Sequence, residues 1–248
     1  MTAGQLQGKR VLITGGGSGV GASLARGFAR AGAEVVICGR REAPLAQVAD
    51  AVGARAIAAD VTSEADVMRL FDQAGPCDVV IANAGSAVSS PLGKTALEDW
   101  NAMLAVNLTG VFLTFREGLR QMPGWGRLIA VASTAGLRGY AYVAPYAAAK
   151  HGVVGMVKSA ALEVARKPVT VNALCPGFLD TEMTDRSVAT IVAKTGMTAE
   201  AARETLAAAN PQKRLIHPDE VTAAALWLCA PGSEGINGQA LAISGGEV

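Results

Sequence analysis

All three tyrosines of the chain fall between Tyr140 and Tyr146, and only Tyr146 is followed four residues later by a lysine, Lys150. Ala147, Ala148 and Ala149 between them are strong helix formers, so the two side chains should share one helix face, a turn apart. A phenol ordinarily loses its proton near pH ~10, and a neighbouring ammonium favours the phenolate. The pairing makes Tyr146 a candidate acid and base near neutral pH, where proton transfer needs its pKa to lie. Tyr and Lys also occur at this spacing in helices that do no chemistry. The pair gains meaning only if the chain supplies a cofactor and a second hydroxyl.

A phosphate-binding element stands at the other end of the chain. Arg10 to Thr14 (RVLIT) reads as a strand and Val20 to Ala31 as a helix. Between them run Gly15, Gly16, Gly17, Ser18, Gly19, Val20 and Gly21. Glycines there allow a tight turn and let backbone N–H groups approach a pyrophosphate at the helix N-terminus. A flexible connection is the plain alternative, but the place between the first strand and first helix of an α/β chain favours a dinucleotide site. The next strand, Glu34 to Cys38, is followed by Gly39, Arg40 and Arg41, with no acid before Glu42. A carboxylate there would bind the 2′-hydroxyl of NAD, whereas Arg40 can grip a 2′-phosphate. NADP(H) is therefore favoured, with NAD(H) possible.

Composition agrees with such a scaffold. Of 248 residues, 50% are hydrophobic and 17% charged, and the 29 glycines suit helices packed closely on a parallel sheet. A net charge of +1 with no basic run excludes a nucleic-acid footprint. Met1 to Arg10 is too polar for a signal peptide, and no apolar run is long enough to span a membrane, so the chain reads as a cytoplasmic protein. Cys38, Cys77, Cys175 and Cys229 lie far apart in apolar segments, which predicts buried free thiols and no metal site. His151 and His217 have no ligand spacing and are assigned no catalytic role.

Strands and helices alternate almost throughout. Further strands are predicted over Arg55 to Ala59, Val79 to Ala82, Arg127 to Ala132, Val169 to Leu174 and Gln239 to Ile243. Helices are predicted over Ala43 to Ala51, after a cap at Thr62 or Ser63, over Ala96 to Arg120, from Tyr146 to about Arg166, and over Pro218 to Leu228. The pattern implies an α/β fold: a single-domain, doubly wound parallel sheet of about seven strands. Thr14, Asp60, Asn83, Ser133 and Pro176 fall at strand ends, along the edge where such sheets bind ligands.

Taken in order, the TGGGSGVG loop, Asp60-Val61, Asn83-Ala84-Gly85, Asn107, Ser133, Tyr146-Ala-Ala-Ala-Lys150 and Pro176-Gly177 resemble the short-chain dehydrogenase/reductase family. The resemblance spans almost the whole chain, with one departure: Ala82 stands where many relatives have a second asparagine. It implies that Tyr146 donates and accepts the proton of the alcohol or carbonyl oxygen, while Ser133 binds the same oxygen. Lys150 would hold the nicotinamide ribose and lower the phenol pKa, and Asn107 would hold a water in a proton relay. Thr134 is the alternative hydroxyl to Ser133, but it should point to the other side of an extended chain end. The resemblance also places Asp60 and Val61 about the adenine, Asn83, Ala84 and Gly85 on its ribose side, and Pro176, Gly177, Leu179 and Thr181 at the nicotinamide carboxamide.

The substrate would be a small carbonyl compound or alcohol under a lid at about residues 177–216, which carries Met183, Met197 and a charged helical stretch, Thr198 to Ala209. Asn210-Pro-Gln-Lys-Arg-Leu and the Ser244-Gly-Gly-Glu-Val ending resemble bacterial 3-oxoacyl thioester reductases and 3-hydroxyacyl-CoA dehydrogenases. A CoA-linked or acyl-carrier-linked ketone follows, with another alcohol, a sugar or a steroid as the alternative. A non-catalytic dinucleotide sensor would not need Ser133, Tyr146, Asn107 and Lys150 together. A sugar-nucleotide epimerase would need a larger C-terminal lobe. The resemblance implies a homotetramer, with Ala147, Gly152, Gly155 and Ala160 allowing close helix contact.

Overall fold

In a computed structural model describing residues 4–248, seven parallel strands form one sheet in the order β3-β2-β1-β4-β5-β6-β7. The strands are β1 Arg10–Thr14, β2 Glu34–Gly39, β3 Arg55–Ala58, β4 Val79–Ala82, β5 Gly126–Val131, β6 Val169–Pro176 and β7 Ala240–Ile243. Residues 1–3, the start of the polar N-terminal stretch, lie outside the described residues. Among those described, no helix is long and apolar enough to cross a membrane.

The strands' near-continuous apolar runs are explained by burial on both faces. Leu12, Val80 and Leu128 enter one core with helices α3 (Glu64–Ala74), α5 (Gly110–Gln121) and α6 (Ala144–Val164). Their neighbours Val11, Ile13, Val79, Ile81 and Ile129 enter the other, with α1 (Gly19–Arg30), α2 (Glu42–Val52) and α9 (Pro218–Trp227). This is the period-2 alternation of a strand, hidden in the sequence because both of its faces are apolar.

Several ends are set by local chemistry. Ser63 caps α3, its hydroxyl accepting from the Asp66 N–H at 3.2 Å, with Glu64 and Asp66 in the first turn. His217 caps α9: its ring accepts from the Asp219 N–H at 3.3 Å, while Glu220 reaches back to the His217 N–H at 2.8 Å. All four cysteines are free and buried.

Two expectations about regularity are corrected. The helix expected unbroken from Ala96 to Arg120 is α4 (Leu97–Leu104), a π-helical turn (Ala105–Thr109) and α5. The Asn107 side-chain amide donates to the Met103 carbonyl at 3.1 Å, competing for the acceptor that the Asn107 N–H would take in an α-helix. The region expected to be irregular after β6 contains α7 (Glu182–Thr195) as well as the anticipated charged helix, α8 (Ala199–Ala208). Val188, Ile191 and Val192 weaken the helical signal of α7, although Gly196 ends it in the left-handed conformation with φ 74°. Arg203 of α8 ties the two helices together through Asp185 at 2.8 Å, and it also pairs with Asp180.

Phe71 of α3 is wholly buried against the sheet. Phe71→Ala should destabilise the fold by about 3–5 kcal/mol, read as a lowered urea midpoint at an unchanged slope.

Candidate active site

The chain runs outward from β1 through β2 to β3 and returns to β4 on the other side of β1, so the ends of β1 and β4 flank a switch point. One hydroxyl joins them. Thr14 Oγ1 accepts from the backbone N–H groups of Asn83 and Ala84, both at 3.0 Å. The Asn83 amide in turn donates to the carbonyls of Thr14 at 2.9 Å and Gly15 at 3.2 Å. Thr14 and Asn83 therefore brace the floor of the crevice with their side chains.

The glycine loop rises from this brace. Gly15 and Gly19 adopt φ of 67° and 50°, which side chains resist. A Cβ on Gly21 would lie 2.1 Å from the Gly15 carbonyl oxygen, so helix and loop meet backbone to backbone. Ser18 precedes α1, yet its side chain caps no N–H, and the first turn carries no acid. The exposed amides and the positive end of the helix dipole fit a dinucleotide's pyrophosphate. Arg41 Nη2 donates to Ser18 Oγ at 3.3 Å and lies 3.9 Å from Glu182 at the start of α7. Arg40, mostly exposed, is 3.8 Å from Asp60. Arg40 and Arg41 are thus both at the mouth of this cradle, although the spacing after β2 singled out only Arg40.

Asp60 Oδ1 accepts from the backbone and hydroxyl of Thr62, at 2.9 and 2.8 Å, which fixes the turn after β3. Val61 packs inward against Gly110, where a Cβ would come within 2.8 Å of Val61 Cγ2. Pro176 ends β6, and the Gly177 N–H donates to the Ile243 carbonyl at 3.0 Å. Leu179 bridges to Ile216, and Thr181 precedes α7 with its methyl beside Gly19. The segments expected at the nicotinamide and at the pyrophosphate are therefore neighbours.

The end of β5 and the first turns of α6 bring the acid/base groups together. Ser133 begins a short 3-10 turn, Thr134–Gly136, its hydroxyl accepting from the Ala135 N–H at 3.1 Å. Thr134 turns the other way, into a hydrogen bond with Tyr140 at 2.7 Å. Lys150 is only 3% exposed. Its ammonium donates to the Val131 carbonyl at 2.9 Å and sits 5.5 Å from the Tyr146 ring centre. Burial pulls its pKa down to about 8. Burial is also the largest influence on the Tyr146 phenol and pushes it up, while the Ser133 hydroxyl acts in the opposite direction. Here the group that lowers the phenol is Ser133, whereas the Tyr-Lys spacing alone pointed to Lys150.

Asn107 is fully buried. It donates to the Ser86 carbonyl at 2.9 Å and accepts from the Ser86 N–H at 3.3 Å. A Cβ on Gly85 would approach Asn107 Oδ1 to 2.7 Å and Lys150 Nζ to 3.8 Å, so both polar groups border Gly85. The sequence reading missed Cys175, whose buried thiol is held up at about 11 beneath this cluster and feels both Ser133 and Lys150. It also missed a tie at the mouth. Tyr142, at φ 69°, presents its carbonyl to the Ser90 N–H at 2.8 Å, linking the loop after β4 to the start of α6.

The profile of the short chain dehydrogenase family matches residues 9–192. The chain belongs to that family. Over 98% of its length this short-chain dehydrogenase is 35% identical to D-beta-hydroxybutyrate dehydrogenase of Cupriavidus necator, covering 99% of that relative. It is 32% identical to a 3-oxoacyl-[acyl-carrier-protein] reductase of Aquifex aeolicus, over 98% of both chains. A crystal structure of a variant actinorhodin polyketide ketoreductase with NADPH superimposes with a TM-score of 0.91 at 34% identity, over 99% of each chain. The dehydrogenase is accordingly an NAD(P)-dependent oxidoreductase of the alcohol dehydrogenase and ketoreductase type.

Two outcomes test the site. Gly21→Ala should weaken NADPH binding at least tenfold in a fluorescence titration, because the added methyl displaces the loop. Lys150→Met should raise stability at pH 7 by removing a buried charge. Below pH about 8 the folded protein carries that charge at a cost; from there to 10.5 the unfolded chain binds more protons than the folded one. Wild-type stability should therefore gain on the variant's as pH rises through this window, measured by urea denaturation of both.

Proposed function

We propose that this dehydrogenase interconverts a 3-oxoacyl thioester and its 3-hydroxyacyl counterpart with NADP(H). The convergence of Ser133, Tyr146 and Lys150 at the end of β5 carries the reading. When bound, the nicotinamide supplies or accepts the hydride. The Tyr146 phenol gives its proton to the carbonyl oxygen as negative charge develops there, and Ser133 donates a hydrogen bond to the same oxygen. Lys150, with its pKa near 8, holds the nicotinamide ribose and can return a proton to the phenolate. Asn107, which like Lys150 borders Gly85, extends that path toward solvent through a water.

Arg41 beside Ser18 and Arg40 beside Asp60 support a 2′-phosphate, in line with the NADPH-bound relative. The acyl-carrier reductase relative supports a thioester, and Pro176, Gly177, Leu179 and Thr181 close the nicotinamide side. The hydroxybutyrate dehydrogenase relative favours a second reading, oxidation of a free 3-hydroxy acid. The apolar groove of about 660 Å³ between α7 and α8 is lined by Val188, Ala189 and Val192 among others. Ser133, Tyr146 and Lys150 do not border it, so the reacting carbon lies elsewhere, at the end of β5. We also propose one domain with its lid over residues 177–216, acting in the cytoplasm as a homotetramer. The exposed Phe112 of α5, Leu162 of α6 at 80% exposure and the open space over Gly155 support such an assembly. Gly152 instead packs within the subunit, against Leu108.

Turnover of acetoacetyl-CoA, acetoacetate, simple ketones, sugars and steroids with NADPH and with NADH checks the assignment. The thioester with NADPH should give the highest kcat/KM, and equal activity with NADH would remove the role of Arg40. Tyr146→Phe should lower kcat by about 10²–10⁴-fold with NADPH affinity unchanged. Normal turnover by that variant would refute the mechanism.

A further inference from the structure

The second-to-last residue of the chain reaches back to the turn that carries Ser133. Glu247 Oε1 accepts from the Tyr140 hydroxyl at 2.5 Å, and the same hydroxyl lies 2.7 Å from Thr134 Oγ1. A phenol has one proton and a carboxylate only accepts, so Tyr140 donates to Glu247 and the Thr134 hydroxyl donates to Tyr140. Thr134 directly follows Ser133, and its carbonyl accepts from the N–H groups of Leu137 and Arg138, at 2.9 and 3.0 Å. The Tyr140 ring packs edge-on against Phe178, at the start of the lid, with ring centres 6.5 Å apart.

The other carboxylate oxygen is enclosed. Glu247 Oε2 and Ser244 Oγ are both buried without a hydrogen-bond partner. Both residues crowd Gly177: a Cβ there would sit 3.3 Å from Glu247 Oε2 and 3.6 Å from Ser244 Cβ. Enclosing a carboxylate oxygen in this corner costs hydration that must be offset by what the side chain holds. What it holds is Tyr140, where the Ser133 turn, the lid and the residues after β7 meet.

We propose that Glu247 is a positioning residue for Ser133, fixing the turn that presents the Ser133 hydroxyl through the chain Thr134, Tyr140, Glu247. Tyr140 is suited to this task. Burial and the adjacent carboxylate push its phenol up to about 12, so it remains a donor throughout the working range. Glu247 touches neither reacting atom. Its effect on catalysis passes through the placement of Ser133, and so rests on the reading that Ser133 and Tyr146 bind the reacting oxygen.

The test compares wild type with Glu247→Ala, Glu247→Gln, Tyr140→Phe and the double variant Glu247→Ala/Tyr140→Phe. Each is assayed in both directions with NADP(H) and whichever ketone–alcohol pair turns over fastest, and each melting temperature is measured. The single Ala and Phe variants should each lower kcat about tenfold, the scale of one charge-assisted hydrogen bond, with KM for NADPH changed less than about twofold. The double variant should be no worse than either single one, since both break the same chain. Glu247→Gln should retain kcat within about threefold, because its amide oxygen still accepts from Tyr140.

The pH profile separates positioning from simple bracing. Ser133 lowers the Tyr146 phenol, so a loosened Ser133 should move the rise in alcohol oxidation to higher pH in Glu247→Ala and Tyr140→Phe. Losses that multiply in the double variant, an unchanged kcat in Glu247→Ala, or an unmoved profile while kcat and melting temperature fall together would each overturn the proposal. If Tyr146→Phe is inactive while Glu247→Ala is normal, only Glu247 loses its role. If Tyr146→Phe is fully active, the site reading itself is wrong.

Discussion

The site depends first on the hydroxyl of Thr14. At the switch point two strands that are neighbours in space, β1 and β4, end side by side with their next backbone amides unmatched by the ladder. One side-chain oxygen accepts from both amides of Asn83 and Ala84, in a place only 1% exposed. Without it two part-buried N–H groups would lose the partner that the strand ladder does not supply. With it, the glycine loop leaves β1 and the Asn83-Ala84-Gly85 segment leaves β4 in fixed relation. Gly85 then has Asn107 and Lys150 at its side, so one bond at the floor sets where the far wall can stand.

Lys150 shows the opposite economy. An ammonium buried beneath β5 has no carboxylate within reach among the described residues; its ion-dipole bond to the Val131 carbonyl offsets only part of the lost hydration, and its pKa falls accordingly. A lysine near pH 8 gives up and regains its proton within the range where an enzyme works, as an exposed lysine does not. Tyr146 meets the same desolvation from the other side, since burial holds its proton on. Burial thus moves the two groups in opposite directions, each toward its neutral form, and only the Ser133 hydroxyl acts against the rise at Tyr146.

The parallel sheet was legible because its strands are apolar runs bounded by Gly, Asn and Asp, and because Tyr146, Lys150, Ser133 and the glycine loop have fixed offsets from strand ends. Helix ends were readable to within a residue or two where a cap or a left-handed glycine marked them. What could not be read depends on contacts between distant segments. Nothing local to Thr14 says that its hydroxyl will serve Asn83, and nothing in the SGGEV ending says that Glu247 folds back onto Tyr140. Arg41 was visible as a residue, but its hydrogen bond to Ser18 exists only after α1 and β2 are packed. The break after Leu104 was invisible because Ala105 to Thr109 contains no proline or other strong helix breaker.

That break is also a change of phase. A π-helical turn holds one residue more than the α-helical turn it replaces, and each residue advances an α-helix by about 100°. The faces of α4 and α5 are therefore numbered differently along what looks like one rod. Val111 and Phe115 reach the sheet while Phe112 stays outside only because the extra residue has been absorbed before them. With that residue present, the chain could keep a regular α-helix or keep its core contacts, but not both; a chain lacking it between Leu104 and Gly110 could keep both. Asn107 sits at the point of that choice, and the side chain that borders Gly85 is also the one whose bond to Met103 accompanies the change of helix phase.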